Sequence, residues 1–539
     1  MMLDHELKEL CRKLKPLVGR RADALWLAYA TAETMDSKRE AESLIQMFGS
    51  KYLTPDVDEK PILLPPPSPK AASGEFLLGT ILYGKKPMLP LYLTRENFIK
   101  HIGIFSITGG GKTNVAQGLL LGLLEKKIPF LVLDWKRSYR SLLTLKNEHV
   151  KDIQIFTVGR KTSSPFNWNP LRAPPNVHPK TWISVVAEAL EKSHVSGPGA
   201  ADIFIDILDK KFEEFKVYDG APEKYPNFFD ASELLQRMRL QGRRMLWRDT
   251  CSRILSTFVF GPSAGAFNAR HPIKLEELLE KPVIIELDQE LPKPLRVFFS
   301  EIILRFIHLY RLGQGETEEL RHVTFLEEIH NLFPKSMIER QATNSLEIIF
   351  REIRGFGEGL VNITQHPSLL PIYILGNSST QIYLGLQHED DIMTAKRALF
   401  LEKGEEYYLD RLKVGEGIVK IKGRINPCYV KFPLIPVQKG VISDDWLRAH
   451  SEIGVGSAMS NFGGIQATST SSGLLPNGAE GQGDEAGKSP PAGFDCGANA
   501  GDGQNNQRPE GGELSTDPSR VSEYALEEGG DDHSKEGLD

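Results

Sequence analysis

The sequence has little cysteine and no long apolar run. Its four cysteines, Cys11, Cys251, Cys428 and Cys496, are scattered, and no two of them stand at the spacing of metal ligands. The small number and wide spacing of the cysteines predict a reduced, cytosolic protein. The longest apolar runs, such as residues 118–124, are far shorter than the about 20 residues that span a bilayer, so we expect no membrane partner. The first residues also lack the basic and apolar pattern of a secretory signal.

Charge is unevenly distributed along the chain. Residues 456–539 hold 15 acidic and 4 basic side chains, a balance of −11, although the whole 539-residue chain carries −6. Residues 1–455 therefore carry +5, and a mildly basic body can bind a polyanion such as DNA. The C-terminal part is rich in Gly, Ser, Asn, Asp and Glu and has few large apolar residues. We predict a disordered acidic tail over residues 441–539.

The rest of the chain divides into three parts by periodicity and composition. Residues 1–57 repeat apolar side chains at helical spacing and predict an N-terminal helical segment. Residues 58–75 are rich in proline and predict a stiff, extended linker. Residues 76–440 begin with a hairpin-like alternation and then alternate short β-branched runs with helical stretches. That pattern predicts an α/β domain with a mainly parallel sheet, helices on both faces and a helical insertion at about residues 176–260.

The stretch FSITGGGKTN, residues 105–114, predicts a phosphate-binding loop. It follows an apolar strand pattern and precedes a helix that begins at Lys112, which is the context that this motif needs; the alternative is a chance glycine-rich turn. Backbone N–H groups of such a loop bind phosphates, Lys112 reaches the β- and γ-phosphates, and Thr113 holds Mg²⁺. The residues predicted to bind the nucleotide are Thr108, Gly109, Gly110, Gly111, Lys112, Thr113 and Asn114.

The loop departs from the G-x-x-x-x-G-K-[ST] pattern at one position. Ser106 stands where the pattern has its first glycine. That glycine turns the chain out of the strand, whereas the later residues contact phosphate. We therefore expect the small serine to be tolerated and the site to work.

Hydrolysis also needs an acid near Mg²⁺ and a base for the attacking water. The apolar run 323–326 ends in adjacent acids: Glu327 is predicted to hold Mg²⁺ with its water shell, and Glu328 to polarise the attacking water. Asp134 and Gln365 end two other strands. We predict that Asp134 joins the metal network and that Gln365 senses the γ-phosphate or orients water. The alternative for each is an ordinary polar side chain at a strand end.

Five motifs, in this order and spacing, resemble the HerA-type ATPases of the HerA/FtsK superfamily: ITGGGKTN, VLDWKRSY, NWNPL, LEEIHNLFP and REIRGFGEGLVNITQHPSLLP. The resemblance covers roughly residues 76–435. It implies a RecA-like P-loop NTPase core that uses ATP and Mg²⁺, and a hexameric homo-oligomer that translocates double-stranded DNA. It also implies that an arginine just before the sensor strand, Arg354 or Arg351, completes the neighbouring subunit's site.

The N-terminal part departs from the family pattern. HerA proteins begin with a small β-barrel, and this chain has a helical segment and a proline-rich linker in that place. The family's nuclease partner is therefore not carried over, and we expect a separate nuclease or another effector. Two alternatives stay open: an ATPase that acts as the assembly platform of a defence complex with little translocation, and a secretion-coupling ATPase, which the lack of a membrane segment disfavours.

Two clusters of basic residues are candidates for contact with DNA. Residues 235–253 contain six arginines, and residues 135–140 contain Lys136, Arg137 and Arg140. The first cluster could bind phosphates or a neighbouring subunit, and the second could line the pore of a ring. In each case the alternative is a solvated surface whose cations pair with nearby acids.

Overall fold

Eleven strands form one sheet in the computed structural model, which describes residues 2–53, 61–159, 163–220, 222–333, 345–424 and 426–451. The strands are β1 Phe76–Tyr83, β2 Lys86–Leu93, β3 Ile102–Phe105, β4 Phe130–Asp134, β5 Gln154–Val158, β6 Pro282–Leu287, β7 Thr317–Glu327, β8 Phe356–Thr364, β9 Thr380–Tyr383, β10 Glu416–Ile421 and β11 Cys428–Lys431. Their order is β2-β1-β11-β10-β9-β3-β8-β7-β4-β6-β5. The strands from β9 to β5 are parallel, and β10, β11, β1 and β2 continue the sheet antiparallel. The predicted mainly parallel α/β fold is confirmed.

Helices cover both faces of this sheet. Because strand side chains alternate in direction, Phe105 packs into one core and its neighbour Ile104 into the other. The α-helices of the described residues are Asp4–Val18, Arg20–Ala30, Met35–Leu53, Pro69–Ala72, Arg95–Ile99, Lys112–Glu125, Pro179–Ser193, Pro198–Glu214, Phe228–Arg237, Arg243–Val259, Ser263–Phe267, Leu275–Leu278, Lys293–Gln314, Ser345–Glu352, Ile372–Asn377, Glu389–Leu399, Tyr407–Arg411 and Asp444–Ser451. Within those described ranges, none is long and apolar enough to cross a membrane.

The parallel strands bring four functional segments to one edge of the sheet. Phe105 of β3 pairs with Thr364 of β8, Ile363 of β8 pairs with Glu327 of β7, and Leu326 of β7 pairs with Leu133 of β4. The residues that follow these strands therefore meet at the carboxyl ends, where open α/β sheets bind their ligands. The residues that precede β8 lie at the opposite edge.

The N-terminal segment forms three helices with a small apolar core of their own. Leu7, Cys11, Tyr29, Ala41 and Ile45 are buried among these helices. The Tyr83 hydroxyl of β1 donates a hydrogen bond of 2.6 Å to the carbonyl oxygen of Lys13. The helical periodicity of the first residues therefore corresponds to helices in the structure.

The proline-rich stretch differs from the predicted extended linker. Ile62 and Leu64 are buried in the core, and the Gly84 N–H donates to the carbonyl oxygen of Ile62. These two apolar side chains alternate along an extended segment, so both can face the body of the protein. Residues 61–64 are thus packed, whereas residues 58–60 lie outside the described part of the chain.

The predicted start of the acidic tail at residue 441 is wrong. Residues 441–451 include the helix Asp444–Ser451, and Ile442 and Leu447 are buried. Asp444 accepts hydrogen bonds from Arg137 and Arg140. The remainder of the predicted tail, residues 452–539, lies outside the described residues.

This boundary predicts different effects of two truncations. Truncation after residue 455 is expected to leave the melting temperature unchanged, because the sequence removed has too little apolar surface to join a core. Truncation after residue 440 also removes Ile442 and Leu447, whose burial contributes about 1.5–3 kcal/mol each, and should lower the melting temperature clearly. Calorimetry on both variants checks this; equal melting temperatures would contradict the boundary.

A buried ion-pair network holds β8 to its neighbours. Glu358 accepts hydrogen bonds from Thr324 Oγ1 (2.7 Å) and Arg311 Nε (3.1 Å), and its carboxylate lies 2.7 Å from His322 Nδ1. Burial raises the pKa of Glu358, but the neighbouring His322 and Arg311 outweigh it and hold the pKa at about 2. The carboxylate is therefore charged and depends on its partners.

Arg311→Met is expected to destabilise the fold by about 3–5 kcal/mol, because it leaves a buried carboxylate short of its cationic partner. Urea unfolding measures the loss. Arg237→Met is the matched control, since Arg237 forms an exposed pair with Glu233 on one helix and should leave the stability unchanged. Equal unfolding free energies for the two variants would show that the network does not stabilise the sheet.

Candidate active site

The glycine-rich loop after β3 has the backbone that a phosphate-binding loop requires. Gly109 (φ 80°) and Gly111 (φ 109°) lie in the left-handed region, which glycine adopts without strain. A Cβ at Gly110 would lie 2.0 Å from the hydroxyl oxygen of Ser106, so that serine fits because Gly110 has no side chain. Ser106 itself is fully buried. The departure from the motif is therefore accommodated within the loop.

Lys112 lies folded onto the loop at the start of the helix Lys112–Glu125. Its ammonium donates hydrogen bonds to the carbonyl oxygens of Ser106 (2.7 Å) and Ile107 (2.9 Å). Burial lowers the pKa of Lys112 to about 8, and the nearby cation of Lys136 adds to the effect. An anionic phosphate would be a stronger partner for this ammonium than two neutral carbonyls, because direct Coulomb attraction between opposite charges adds to the hydrogen bond. The loop therefore suits a nucleotide phosphate.

Thr113 and Asn114 follow Lys112 and face different surroundings. Thr113 lines a cavity of about 630 Å³ beside the loop, within the size range of ligand pockets. Asn114 Nδ2 donates to the carbonyl oxygen of Pro433 (2.8 Å), and its Oδ1 accepts from the N–H of Ile435 (2.9 Å). The structure therefore gives Asn114 a different contact from the predicted nucleotide: its amide fixes the segment after β11.

Glu327 is the last residue of β7, and its two carboxylate oxygens differ in their hydrogen bonds. Its Oε1 accepts a hydrogen bond from the Tyr139 hydroxyl (2.9 Å), whereas the buried Oε2 accepts none from the described residues. Burial, followed by the charge of Asp134, raises the pKa of Glu327 to about 8. A divalent cation would stabilise the charged form of this carboxylate, so Glu327 and Thr113 fit a Mg²⁺ ion.

Such an ion would need further ligands. In the part of the chain that the structure describes, no three or more His, Cys, Asp and Glu residues form a group that could hold a metal. Mg²⁺ usually keeps several waters and binds through one or two protein ligands together with substrate phosphates. Thr113 and Glu327 would be two such protein ligands, and waters and phosphate oxygens would supply the others.

Asp134 has a different role from the predicted metal contact. Its Oδ1 accepts from the N–H of Lys136 (2.9 Å) and its Oδ2 from the N–H of Tyr139 (3.1 Å). Burial, together with the charge of Glu286, raises the pKa of Asp134 to about 6. Both oxygens thus bind backbone N–H groups and close the turn that follows β4.

Glu328 occupies a strained backbone position beside the loop. Its φ of 48° and ψ of 40° place a non-glycine residue in the left-handed region, a feature that clusters at functional sites. Its Oε1 accepts a hydrogen bond from Gln365 Nε2 (2.7 Å) and forms an ion pair with Lys136. Its Oε2 accepts no hydrogen bond within the described ranges, and His330 Nδ1 lies 3.4 Å away. Burial raises the pKa of Glu328, but Lys136 and Gln365 outweigh it, so the pKa lies below its usual value.

Gln365 joins the loop to this glutamate. Its Oε1 accepts a hydrogen bond from the Thr108 hydroxyl, and its Nε2 donates to Glu328. Together with the ion pair between Glu328 and Lys136, these bonds form a chain across the ends of β3, β8, β7 and β4. The structure therefore brings Thr108, Gln365 and Glu328 together.

Arg351 and Arg354 lie far from this site. Arg351 forms an exposed ion pair with Glu347 on the helix Ser345–Glu352, and the exposed Arg354 lies in the 3₁₀ turn Ile353–Gly355 just before β8. β8 has nine residues, about 30 Å of strand, between Arg354 and Gln365. Neither arginine can reach the site of its own chain.

The sequence patterns did not identify two residues of the site. Lys136 was considered only for the pore of a ring, and Tyr139 was not considered, yet they contact Glu328 and Glu327. Their only sequence signal is their position directly after β4, which pairs with β7, the strand that leads into the two acids. The other cations of that cluster, Arg137 and Arg140, bind Glu286 and Asp444.

The arginine-rich segment 235–253, which spans the end of the helix Phe228–Arg237 and the start of the helix Arg243–Val259, has nearby acidic partners. Arg237 pairs with Glu233, Arg244 with Asp206 and Arg248 with Asp249, and all three pairs are on the surface. The contacts therefore match the alternative of a solvated surface with paired charges.

The comparisons with known proteins agree with this architecture. Residues 76–245 match the family model described as "Helicase HerA, central domain". VirB4 of Thermoanaerobacter pseudethanolicus superimposes with a TM-score of 0.52 and 15% identity, over 67% of this chain and 97% of that one. The bacterial conjugative coupling protein TrwB superimposes with a TM-score of 0.50 and 12% identity, over 71% and 96% of the two chains. No curated protein matches the sequence.

A second TrwB structure, in complex with the non-hydrolysable ATP analogue ADPNP, gives a TM-score of 0.51 at 12% identity, over 70% of this chain and 95% of that one. At these identities the likeness shows a shared fold. Together with the family match over residues 76–245, it agrees with the resemblance to HerA-type ATPases that the five motifs indicate.

Proposed function

We propose that this protein, a P-loop ATPase with a HerA-type domain, is a ring-forming motor that hydrolyses ATP with Mg²⁺ and moves or remodels double-stranded DNA. The observation that carries the proposal is the hydrogen-bonded chain Thr108–Gln365–Glu328. It joins the phosphate loop to a glutamate whose Oε2 accepts no hydrogen bond from the described residues. A sensor in this position can report the state of the nucleotide to the group that acts on water.

Each residue of the site has a task in ATP hydrolysis. The loop N–H groups and Lys112 bind the phosphates, and Thr113 and Glu327 hold Mg²⁺, which neutralises phosphate charge when bound. Oε2 of Glu328, which accepts no hydrogen bond from the described residues, orients the attacking water and accepts its proton. Gln365 forms hydrogen bonds with both the loop and this glutamate and so fixes their relative positions.

The position of the arginines supports a ring. Arg354 lies at the edge of the sheet opposite the phosphate loop, so it can act only on a neighbouring subunit. Contact between opposite edges of successive subunits is a heterologous interface, which closes into a ring when the rotation allows. The family resemblance supports six subunits.

DNA is the partner that the charge and the family match support. Residues 1–455 carry +5, and the matched family model is that of a helicase. TrwB, which shares the fold, is a conjugative coupling protein. A nuclease or another effector is proposed as a further partner from the family resemblance.

ATP hydrolysis measured with and without double-stranded DNA tests this function. We expect DNA to stimulate hydrolysis, the stimulation to weaken as salt rises, and Lys112→Ala to abolish it. Hydrolysis that DNA does not change at low salt would favour the assembly platform instead. Absence of hydrolysis in the assembled wild-type protein with Mg²⁺ and DNA would overturn the proposal.

A further inference from the structure

The turn after β4 reaches over both acids of the site. Asp134 closes this turn by accepting the N–H groups of Lys136 and Tyr139, and Arg137 within it has a left-handed φ of 58°. The closed turn carries the Lys136 ammonium to Glu328 and the Tyr139 hydroxyl to Glu327. Because β4 pairs with β7, which ends in these acids, the turn is fixed relative to both of them.

The contacts on Glu328 are unevenly shared between its two oxygens. Lys136 and Gln365 both bind Oε1. The buried Oε2 accepts no hydrogen bond from any described residue, and His330 Nδ1 lies 3.4 Å from it. A carboxylate held by one oxygen at two points cannot rotate freely, so the second oxygen is presented in a fixed direction.

We propose that Lys136 is a positioning residue for Glu328: with Gln365 it holds Oε1 and thereby directs Oε2 to the attacking water. This inference rests on the proposed ATPase function. Gln365 alone would hold Oε1 through one amide hydrogen bond. The Lys136 cation adds an ion pair, in which the attraction between opposite charges strengthens the hold on Oε1.

The exposure of the two partners fits this assignment. The Lys136 side chain is 42% exposed, whereas that of Glu328 is only 10% exposed. The lysine therefore reaches inward from the cavity beside the loop, whose lining includes Thr113 and Lys136. Its place near Lys112 also leaves a rival role, direct contact with the γ-phosphate, and the experiment separates the two.

A double-mutant cycle on the full-length protein tests the proposal. Lys136→Ala, Glu328→Gln and the double variant are compared for single-turnover hydrolysis of ATP and for equilibrium binding of a non-hydrolysable ATP analogue and of ADP. Lys136→Arg is the conservative variant, and Lys126→Ala, an exposed lysine at the far end of the helix Lys112–Glu125, is the matched control. All variants are first checked for assembly and melting temperature.

Lys136→Ala is expected to slow hydrolysis by about 10- to 100-fold, the range for groups that orient a ligand, and to bind both nucleotides as the wild type does. It should slow hydrolysis no further in the Glu328→Gln background, because it acts through that carboxylate. Lys136→Arg should recover part of the rate, and Lys126→Ala should match the wild type.

Three results would overturn the inference. The first is wild-type hydrolysis by Lys136→Ala. The second is a further loss of similar size in the Glu328→Gln background. The third is weaker binding of the ATP analogue with unchanged ADP binding, which would place Lys136 on the γ-phosphate. If the wild type itself hydrolyses no ATP, the proposed function fails, whereas normal hydrolysis with an insensitive Lys136 rejects only the positioning role.

Discussion

Glu328→Gln is expected to bind ATP as tightly as the wild type and to hydrolyse it at least about 10²-fold more slowly, the range for a positioned general base. The amide keeps the size of the side chain and can still accept a hydrogen bond from Gln365 through its oxygen. It cannot accept a proton from water, because its nitrogen has no basic lone pair. Binding and turnover should therefore separate in this variant.

Lys112→Ala provides the matched contrast. Lys112 lies on the loop that binds phosphate, so its removal should weaken ATP binding and hydrolysis together. Titration with a fluorescent ATP analogue, run alongside phosphate release, distinguishes the two patterns. Hydrolysis at the wild-type rate by Glu328→Gln would show that the catalytic base has been assigned wrongly.

The residues at the strand ends of the site could be predicted because each of these segments has a local sequence pattern. The loop has glycines, Lys112 and Thr113 in a fixed pattern, and Glu327 and Glu328 follow an uninterrupted apolar run. A parallel sheet brings the carboxyl ends of its strands to one edge, so the strand-end position of Gln365 predicted the edge on which it lies. The structure pairs its strand, β8, with the loop strand β3. These predictions depend on backbone direction, which short-range sequence determines.

The roles of Asp134, Asn114 and Lys136 could not be predicted in this way. Asp134 stands at a strand end like the acids of β7, but its oxygens are taken by N–H groups of its own turn. Asn114 binds Pro433 and Ile435, which lie more than three hundred residues further along the chain. Side-chain direction and distant contacts decide these roles, and neither appears in a local pattern.

The predicted start of the acidic tail, residue 441, was wrong for a related reason. Residues 444–451 are polar at most positions, and their composition resembles that of the tail. A short helix needs only one buried side to dock, here that of Leu447, and the buried Ile442 just before the helix adds to it. Asp444 adds ion pairs with Arg137 and Arg140. Composition averages over a window and does not detect a few anchoring contacts.

Arg354→Ala is expected to bind ATP normally and to hydrolyse it on the order of 10³-fold more slowly, as when an arginine finger is removed. A guanidinium stays charged at any working pH, and its planar fork suits the charge that develops on the γ-phosphate. Arg354 is exposed and about 30 Å of strand from Gln365, so this loss would arise at the neighbouring subunit's site. Arg351→Ala tests the second arginine that the family resemblance offers, which lies three residues away and pairs with Glu347.

Mixing two inactive variants tests whether the arginine acts between subunits. Arg354→Ala keeps an intact phosphate loop, and Lys112→Ala keeps an intact arginine, so a mixed ring contains interfaces that pair both intact halves. Some activity should return in mixtures, with a maximum at intermediate ratios, whereas each variant alone stays inactive. Light scattering must first show that the variants assemble and exchange subunits. Exchanging rings that recover no activity at any ratio would reject the role in the neighbouring site, and a stable monomer with full ATPase activity would reject the ring, because Arg354 cannot reach the site of its own chain.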